Sequence, residues 1–376
     1  MSRHAFTTGS VCLAALVLVT ASATPARARE HGRKVIINYK SGWQRPHAHI
    51  RTQSGWTRTP GVGLSHQTHQ WWRTETQARG ALQLLFNNGD KAWDKPAGGG
   101  NYRIKPNGRE VWVEGGFVHY APPGAGRLQT NNFFFHGIND SRPISVYLPA
   151  GYDQNPNKRY PVLYMTDGQN AFVGGVGGGW HVNRAIEHAT AIGRARQAIV
   201  VAVHTAKNRI HDLTPSFDAS VGGGGGASKF LGAIVSELKP QIDRHFRTLA
   251  DRDNTALGGS SLGGLFALYA ARTRPDVFGG VLPMSPSLWW NNEEMLHAFR
   301  NDRHKPRARI IFDSGDSGEN GATDGVKQTE ALRDIFVAKG MRFGTDYTHF
   351  TARGHAHKEK YWRERFADRY SELFPY

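Results

Sequence analysis

The amino-acid sequence predicts an α/β protein in which a mostly parallel, helix-covered sheet follows a small all-β sandwich. From residue 142 onward, apolar strand-like runs alternate with helical patterns, which is how parallel sheets are built. Between residues 33 and 120, short β-prone runs alternate instead with turn-forming Gly, Asn, Pro and Asp. Residues 254–272 read as strand, sharp turn and helix around a serine. At 376 residues the chain has room for two domains, because single cores rarely grow beyond about 250–300 residues.

Residues 1–28 read as a secretory signal peptide. Arg3 and His4 precede the apolar core 11–19, and small-residue sites follow at 21–23 and 26–28. That core is too short to span a bilayer, and no later stretch reaches spanning length. Cys12, the only cysteine, lies inside it, so a mature chain free of thiols and disulfides is expected, exported to periplasm or medium. The formal charge is +16 with a pI near 10.0, yet the basic residues form no run of five or six and no nucleic-acid module is present. Nucleic acid is therefore not an expected partner, and neither is a membrane once the leader is cleaved.

The region 33–120 carries strand-like runs at 35–39, 81–86 and 111–113, and six tryptophans: Trp43, Trp56, Trp71, Trp72, Trp93 and Trp112. Some must be core. Trp56 follows Ser54-Gly55 and Trp93 sits in 87-Asn-Asn-Gly-Asp-Lys-Ala-Trp-Asp-94, polar turn settings in which a large ring is expected at the surface. Exposed rings beside polar donors hold sugars, since the C–H face of a pyranose packs on the ring while its hydroxyls bond to neighbours. The Pro-Pro-Gly stretch that opens residues 121–131 reads as a linker, and a second domain is expected over 132–376.

In that domain, strands are expected at 142–148, 160–165 and 198–203, with a helix over 180–192. The loop 166–170 follows a strand directly. Gln169 is the candidate for an oxyanion-binding amide there, with Gly168 permitting close backbone approach; an ordinary Asp-Gly turn is the alternative. The glycine run 222–226 suggests a mobile segment but no phosphate loop, because no Lys-Ser/Thr pair follows it. Residues 229–245 form an amphipathic helix with Phe230, Ile234, Leu238 and Ile242 on one face. Arg209 suits either a carboxylated ligand or a structural ion pair.

Gly259-Ser-Ser-Leu-Gly263 has G-x-S-x-G spacing between a buried strand and a helix that Pro275 closes. Small residues flank a serine held at a strained apex, and the following helix aims its first amides, Leu262 N–H foremost, at charge developing beside the hydroxyl. Strands at 280–284, 309–313 and 347–350 and a helix over 329–340 complete the pattern, with Trp289 and Trp290 placed near the serine. Asp316, Glu319 and Asp324 all qualify as a triad acid after the 309–313 strand, and His355 and His357 follow the last. Ser, then acid, then His is the chain order of the α/β-hydrolases. No His or carboxylate spacing forms a metal-ligand set, and neither metal nor cofactor is expected.

Two resemblances sharpen these readings. Residues 39–43, 46–50, 55–57, 60–62, 86–94 and 100–102 resemble a family 25 type starch-binding carbohydrate-binding module, and that likeness implies an α-glucan platform of His49, Trp56 and Trp93. Residues 132–376 resemble the esterase D or enterochelin-esterase-like branch of the α/β-hydrolases, on Asp167-Gly-Gln-Asn170, Gly178-Gly-Trp180, the G-x-S-x-G stretch, Ser285-Pro-Ser-Leu-Trp-Trp290 and His357-Lys-Glu-Lys-Tyr-Trp362. The second likeness selects His357, which opens a His-x-Glu-x-x-Trp pattern. It also puts Gln169 and Leu262 at the oxyanion positions, and matches Asp324 best as the acid, with Glu319 second. Together these imply an exported serine esterase with Ser261 as nucleophile, acting on acyl esters and anchored to starch or glycogen. A siderophore esterase, an acyltransferase and a catalytically inert glycan-binding protein are the alternatives.

Overall fold

The computed structural model describes residues 32–376 apart from 53, 68–69, 97–98, 106–108, 120–125, 154, 206 and 319–322. The expected signal peptide and the first part of the expected linker lie outside the described residues.

The N-terminal region is all-β. One sheet orders the strands Phe117–His119, Glu110–Glu114, Arg33–Lys40, Trp71–Ala78 and Ser65–His66; the other runs Gly55–Trp56, His47–Thr52, Leu82–Asn87 and Trp93–Asp94. Alternate residues of the two sheets meet in one apolar cluster, with Val35, Ile37, Val111 and Val113 from the first and Ala48, Ile50, Leu84 and Phe86 from the second.

The main sheet has eight strands in the order Arg127–Phe135, Asp140–Leu148, Ile199–Val203, Val162–Met165, Thr255–Ser261, Gly280–Pro286, Arg309–Gly315 and Tyr347–Ala352. The first two pair antiparallel and Asp140–Leu148 is antiparallel to Ile199–Val203; every later pairing is parallel. Helices cover both faces, so successive side chains of a strand enter opposite cores. Tyr164, Val201, Leu257, Val281 and Phe312 join one cluster, while Leu163, Val200, Ala256, Leu282 and Ile311 join the other.

Within the stretch 121–131 expected as linker, Arg127–Asn131 instead is the first half of an edge strand registered on Ile144–Leu148. Much of its side-chain surface is exposed, so its polar residues carry no burial signal. The helix expected over 229–245 forms as Ala227–Ala233 and Lys239–His245, joined by a π-helical turn at Ile234–Leu238. Pro240 has no N–H to return to the preceding turn, and the wider turn accommodates that loss. Its four apolar residues are buried as expected. Gly223–Gly224 of the glycine run pairs with Phe217–Asp218 as a short hairpin.

The two regions meet through the helix Val182–Ala191. Glu187 accepts a hydrogen bond from Tyr147 Oη–H at 2.6 Å and lies 2.9 Å from His119 Nδ1, and Phe117 packs edge-on against His188 at 4.8 Å.

Candidate active site

Ser261 ends a parallel strand and caps the helix Leu262–Thr273 with φ 57° and ψ −124°, a conformation a non-glycine residue adopts only under strong constraint. The constraint is close packing: a Cβ on either Gly259 or Gly263 would lie 2.3 Å from Thr166 Oγ1, so only glycine lets the strand, the turn and the neighbouring strand end approach this closely. Such turns at the carboxyl ends of parallel strands are where open α/β sheets place ligands.

A cavity of about 760 Å³ opens there. Ser261, Leu262, Ser285, Ser287, Asp324 and His357 are among the residues that line it, together with Trp289, Trp290, Ile210, Arg209 and Lys327. The structure thus brings together three residues that the sequence separates by up to 96 positions, one at the end of a strand and two on the loops that follow two other strands.

Asp324 is buried, with a fully inaccessible side chain. Its Oδ1 accepts a 2.6 Å hydrogen bond from His357 Nδ1–H, and its Oδ2 accepts from Gly315 N–H at 2.7 Å and Ser285 Oγ–H at 2.5 Å. A carboxylate only accepts, so the Nδ1 proton is fixed toward it and Nε2 of the neutral ring keeps the lone pair. Trp362 packs edge-on against the imidazole, centroids 4.8 Å apart, which holds the ring plane. Ser261 Oγ lies 3.2 Å from Ser287 Oγ, and that is the hydrogen-bond partner it has among the described residues. Serine and imidazole share the cavity, and hydrogen bonds between such groups tighten when a substrate binds.

The other acid candidates stand apart from the imidazole or beyond view. Asp316 is exposed, and its Oδ1 accepts from Gly354 N–H at 2.6 Å, bracing the loop before His357. Glu319 lies outside the described residues. His355 Nδ1 lies 3.3 Å from Arg365 Nη1, away from the cavity lining.

Leu262 opens its helix, so its N–H has no intrahelical acceptor, and it lines the cavity. Gln169 occupies the 3₁₀ turn Gly168–Asn170 after the adjacent strand, an equally unpaired amide position, but is not among the cavity-lining residues. Its side chain is tied to Thr205, donating to Oγ1 at 2.9 Å and accepting from the backbone N–H at 3.1 Å. A Cβ at Gly168 would lie 2.6 Å from the Ala202 carbonyl, so packing alone requires glycine there. Arg209 makes a two-pronged ion pair with Asp167, both bonds 2.8 Å, so the structural alternative describes it.

In the β region His49, Trp56 and Trp93 form one surface cluster. The His49 ring stacks on Trp56 at 4.9 Å and meets Trp93 edge-on at 5.5 Å, and the two indoles are 38% and 37% exposed. Sequence reasoning named the loop 285–290 for its aromatics and missed its serines. Ser285, at φ 41°, and Ser287 both line the cavity, and the Ser-Pro-Ser spacing was their only visible signal.

Comparison with known proteins agrees with this architecture. Curated relatives include the siderophore triacetylfusarinine C esterase of Aspergillus fumigatus, 34% identical over 41% of this chain and 54% of that protein, and the iron(III) enterobactin esterase of Dickeya dadantii, 28% identical over 62% and 49%. The endo-1,4-beta-xylanase/feruloyl esterase of Xylanibacter ruminicola is 28% identical over 66% of this chain and 31% of its own length. The chain therefore spans about half the length of the first two relatives and less of the third. Among solved structures, the enterobactin esterase of Shigella flexneri matches 93% of this chain and 94% of its own, with TM-score 0.54 and 17% identity. That coverage extends the likeness of fold beyond the eight-stranded sheet into the N-terminal strands. A ferulic acid esterase matches 66% and 98%, with TM-score 0.53 and 19% identity. The model of the Esterase family, described as "Putative esterase", matches residues 136–373, well over half of the sequence, and the chain belongs to that family.

Proposed function

We propose that this protein is an exported serine esterase. The observation that carries the reading is Ser261 held at a strained strand-to-helix turn in the same cavity as a buried Asp324–His357 pair. His357 Nε2 takes the Ser261 proton as the hydroxyl attacks an ester carbonyl, and Asp324 fixes the tautomer and steadies the imidazolium. The Leu262 and Gln169 amides receive the oxyanion, each worth roughly 10²–10³ in turnover. His357 then protonates the leaving alcohol, and water releases the acyl group by the same steps in reverse.

The substrate in this reading is an acyl ester joined to carbohydrate, with His49, Trp56 and Trp93 holding an α-glucan so that weak glycan binding concentrates substrate near the cavity. A siderophore ester is the second reading, supported by the names of the first relatives and by a fold likeness that includes the β region. One panel separates the two: acetyl, long-chain and feruloyl esters against a siderophore lactone, assayed on purified protein with and without soluble starch. Carbohydrate esters hydrolysed faster when starch is present support the first reading. A kcat/KM at least tenfold higher for the lactone, with no retention on starch, replaces it with the second.

A further inference from the structure

Behind Asp324 lies a second layer of buried polar groups. Ser285 Oγ has three neighbours: Asp324 Oδ2 at 2.5 Å, Trp362 Nε1 at 2.9 Å and Arg365 Nη2 at 2.9 Å. An indole N–H and a guanidinium only donate, whereas a hydroxyl has two lone pairs and one proton. Both lone pairs are therefore occupied, and the proton has one direction left, toward Asp324. Arg365 is itself immobilised by Asp313, with Nε to Oδ2 at 2.8 Å and Nη2 to Oδ1 at 3.1 Å, the two side chains being 3% and 0% exposed. The Ser285 backbone N–H also reaches Asp313 Oδ1, at 3.3 Å. One buried ion pair thus holds both the backbone and the hydroxyl of Ser285.

We infer that Ser285 is a positioning residue for the triad, its hydroxyl aimed by Arg365 and Trp362 so that Asp324 presents Oδ1 alone to His357. The inference rests on the reading of Asp324 and His357 as acid and base. With donors from Ser285 and Gly315 on Oδ2, the carboxylate cannot pivot, and the imidazole plane is set by Oδ1 and the Trp362 edge. The backbone points the same way. Ser285 sits at φ 41°, a conformation that glycine adopts more readily, yet the position carries a hydroxyl-bearing residue with every hydrogen-bonding capacity used.

The test uses Ser285→Gly, which relieves the backbone, and Ser285→Ala, which retains Cβ, each checked for cooperative thermal unfolding before kinetics on a chromogenic ester. Each variant is expected to lose roughly tenfold to hundredfold in kcat, the effect of one charge-assisted hydrogen bond, with KM unchanged. A purely structural serine would not separate kcat from KM in this way. Wild-type kcat in either folded variant overturns the inference, as does a raised KM at unchanged kcat, which would place Ser285 in substrate binding. Ser261→Ala runs alongside: its inertness keeps the esterase reading intact whatever Ser285 does, and residual hydrolysis by it would sink that reading itself.

Discussion

Gly263→Ala gives the sharpest check on why the serine turn needs glycine. Gly263 lies within the first turn of the helix Leu262–Thr273, where alanine would ordinarily gain about 1 kcal/mol. Here the new Cβ would meet Thr166 Oγ1 at 2.3 Å, and the next nearest atoms, Asp167 Oδ2 and Thr166 Cβ, are at 3.5 Å, an ordinary contact. The whole clash is one atom. Thr166 is buried and β-branched, so turning Oγ1 aside swings its methyl into packed surroundings as well. Overpacking of this kind costs about 1–3 kcal/mol, which exceeds the helical gain. Thr166 Oγ1 has no hydrogen-bond partner among the described residues, so Thr166→Ala removes the obstacle without orphaning a partner, losing about 1 kcal/mol of methyl burial. In that background Gly263→Ala should become neutral or stabilising, a coupling of about 1–3 kcal/mol, the size of the clash removed. Urea unfolding of the four proteins measures it, and ester hydrolysis should fall in the single variant and recover in the double. Gly259→Ala is the control: its Cβ would also crowd the Gly263 backbone at 3.0 and 3.1 Å, so Thr166→Ala should not rescue it. Equal destabilisation by Gly263→Ala with and without Thr166 would refute the packing argument.

Three further outcomes are expected. Asp324→Asn presents an amide donor to His357, favours the wrong tautomer and should lower kcat by roughly 10⁴ at nearly unchanged KM; a loss under tenfold would dismiss Asp324 as the acid. Trp56→Ala and Trp93→Ala should each release the protein from insoluble starch without changing hydrolysis of a small soluble ester, whereas undiminished retention would remove the sugar platform. Burial, with repulsion from His119 second, pushes His188 down to about 4 at the junction of the two regions, where its Nδ1 has no partner among the described residues. Between about pH 4 and the ordinary histidine value near 6.5 the unfolded chain binds more protons than the folded one, so stability rises with pH across that window and is lost as pH falls through it. His349, also held down to about 4 by burial, contributes in the same direction. His188→Phe should therefore flatten, without abolishing, the decline in Tm from pH 6.5 to 4; an unchanged slope would refute that assignment.

The parts legible in the sequence are those whose signal is local. Ile199–Val203 is apolar at every position because both of its faces are covered, and the turn at Ser261 announces itself by two glycines at fixed spacing. Arg127–Phe135 was hidden because an exposed edge strand carries polar residues that read as linker. The acid stayed open among three carboxylates because the loop after Gly315 supplies them all, and only the fold decides which one reaches the imidazole. Ser285 was not legible as a positioning group, since its role depends on a left-handed backbone and on Arg365 arriving from 80 residues away. The surface cluster of His49, Trp56 and Trp93 falls between these cases, its members recognisable singly but their contact set by the pairing of His47–Thr52 with Gly55–Trp56 and of Leu82–Asn87 with both His47–Thr52 and Trp93–Asp94.

Covalent capture tests the central assignment most directly. Incubation of the purified protein with a fluorophosphonate, followed by peptide mass spectrometry, should show stoichiometric phosphonylation at Ser261 with parallel loss of ester hydrolysis, and neither labelling nor turnover in Ser261→Ala. Hydrolysis that survives in Ser261→Ala, or a label carried by another residue, would contradict it.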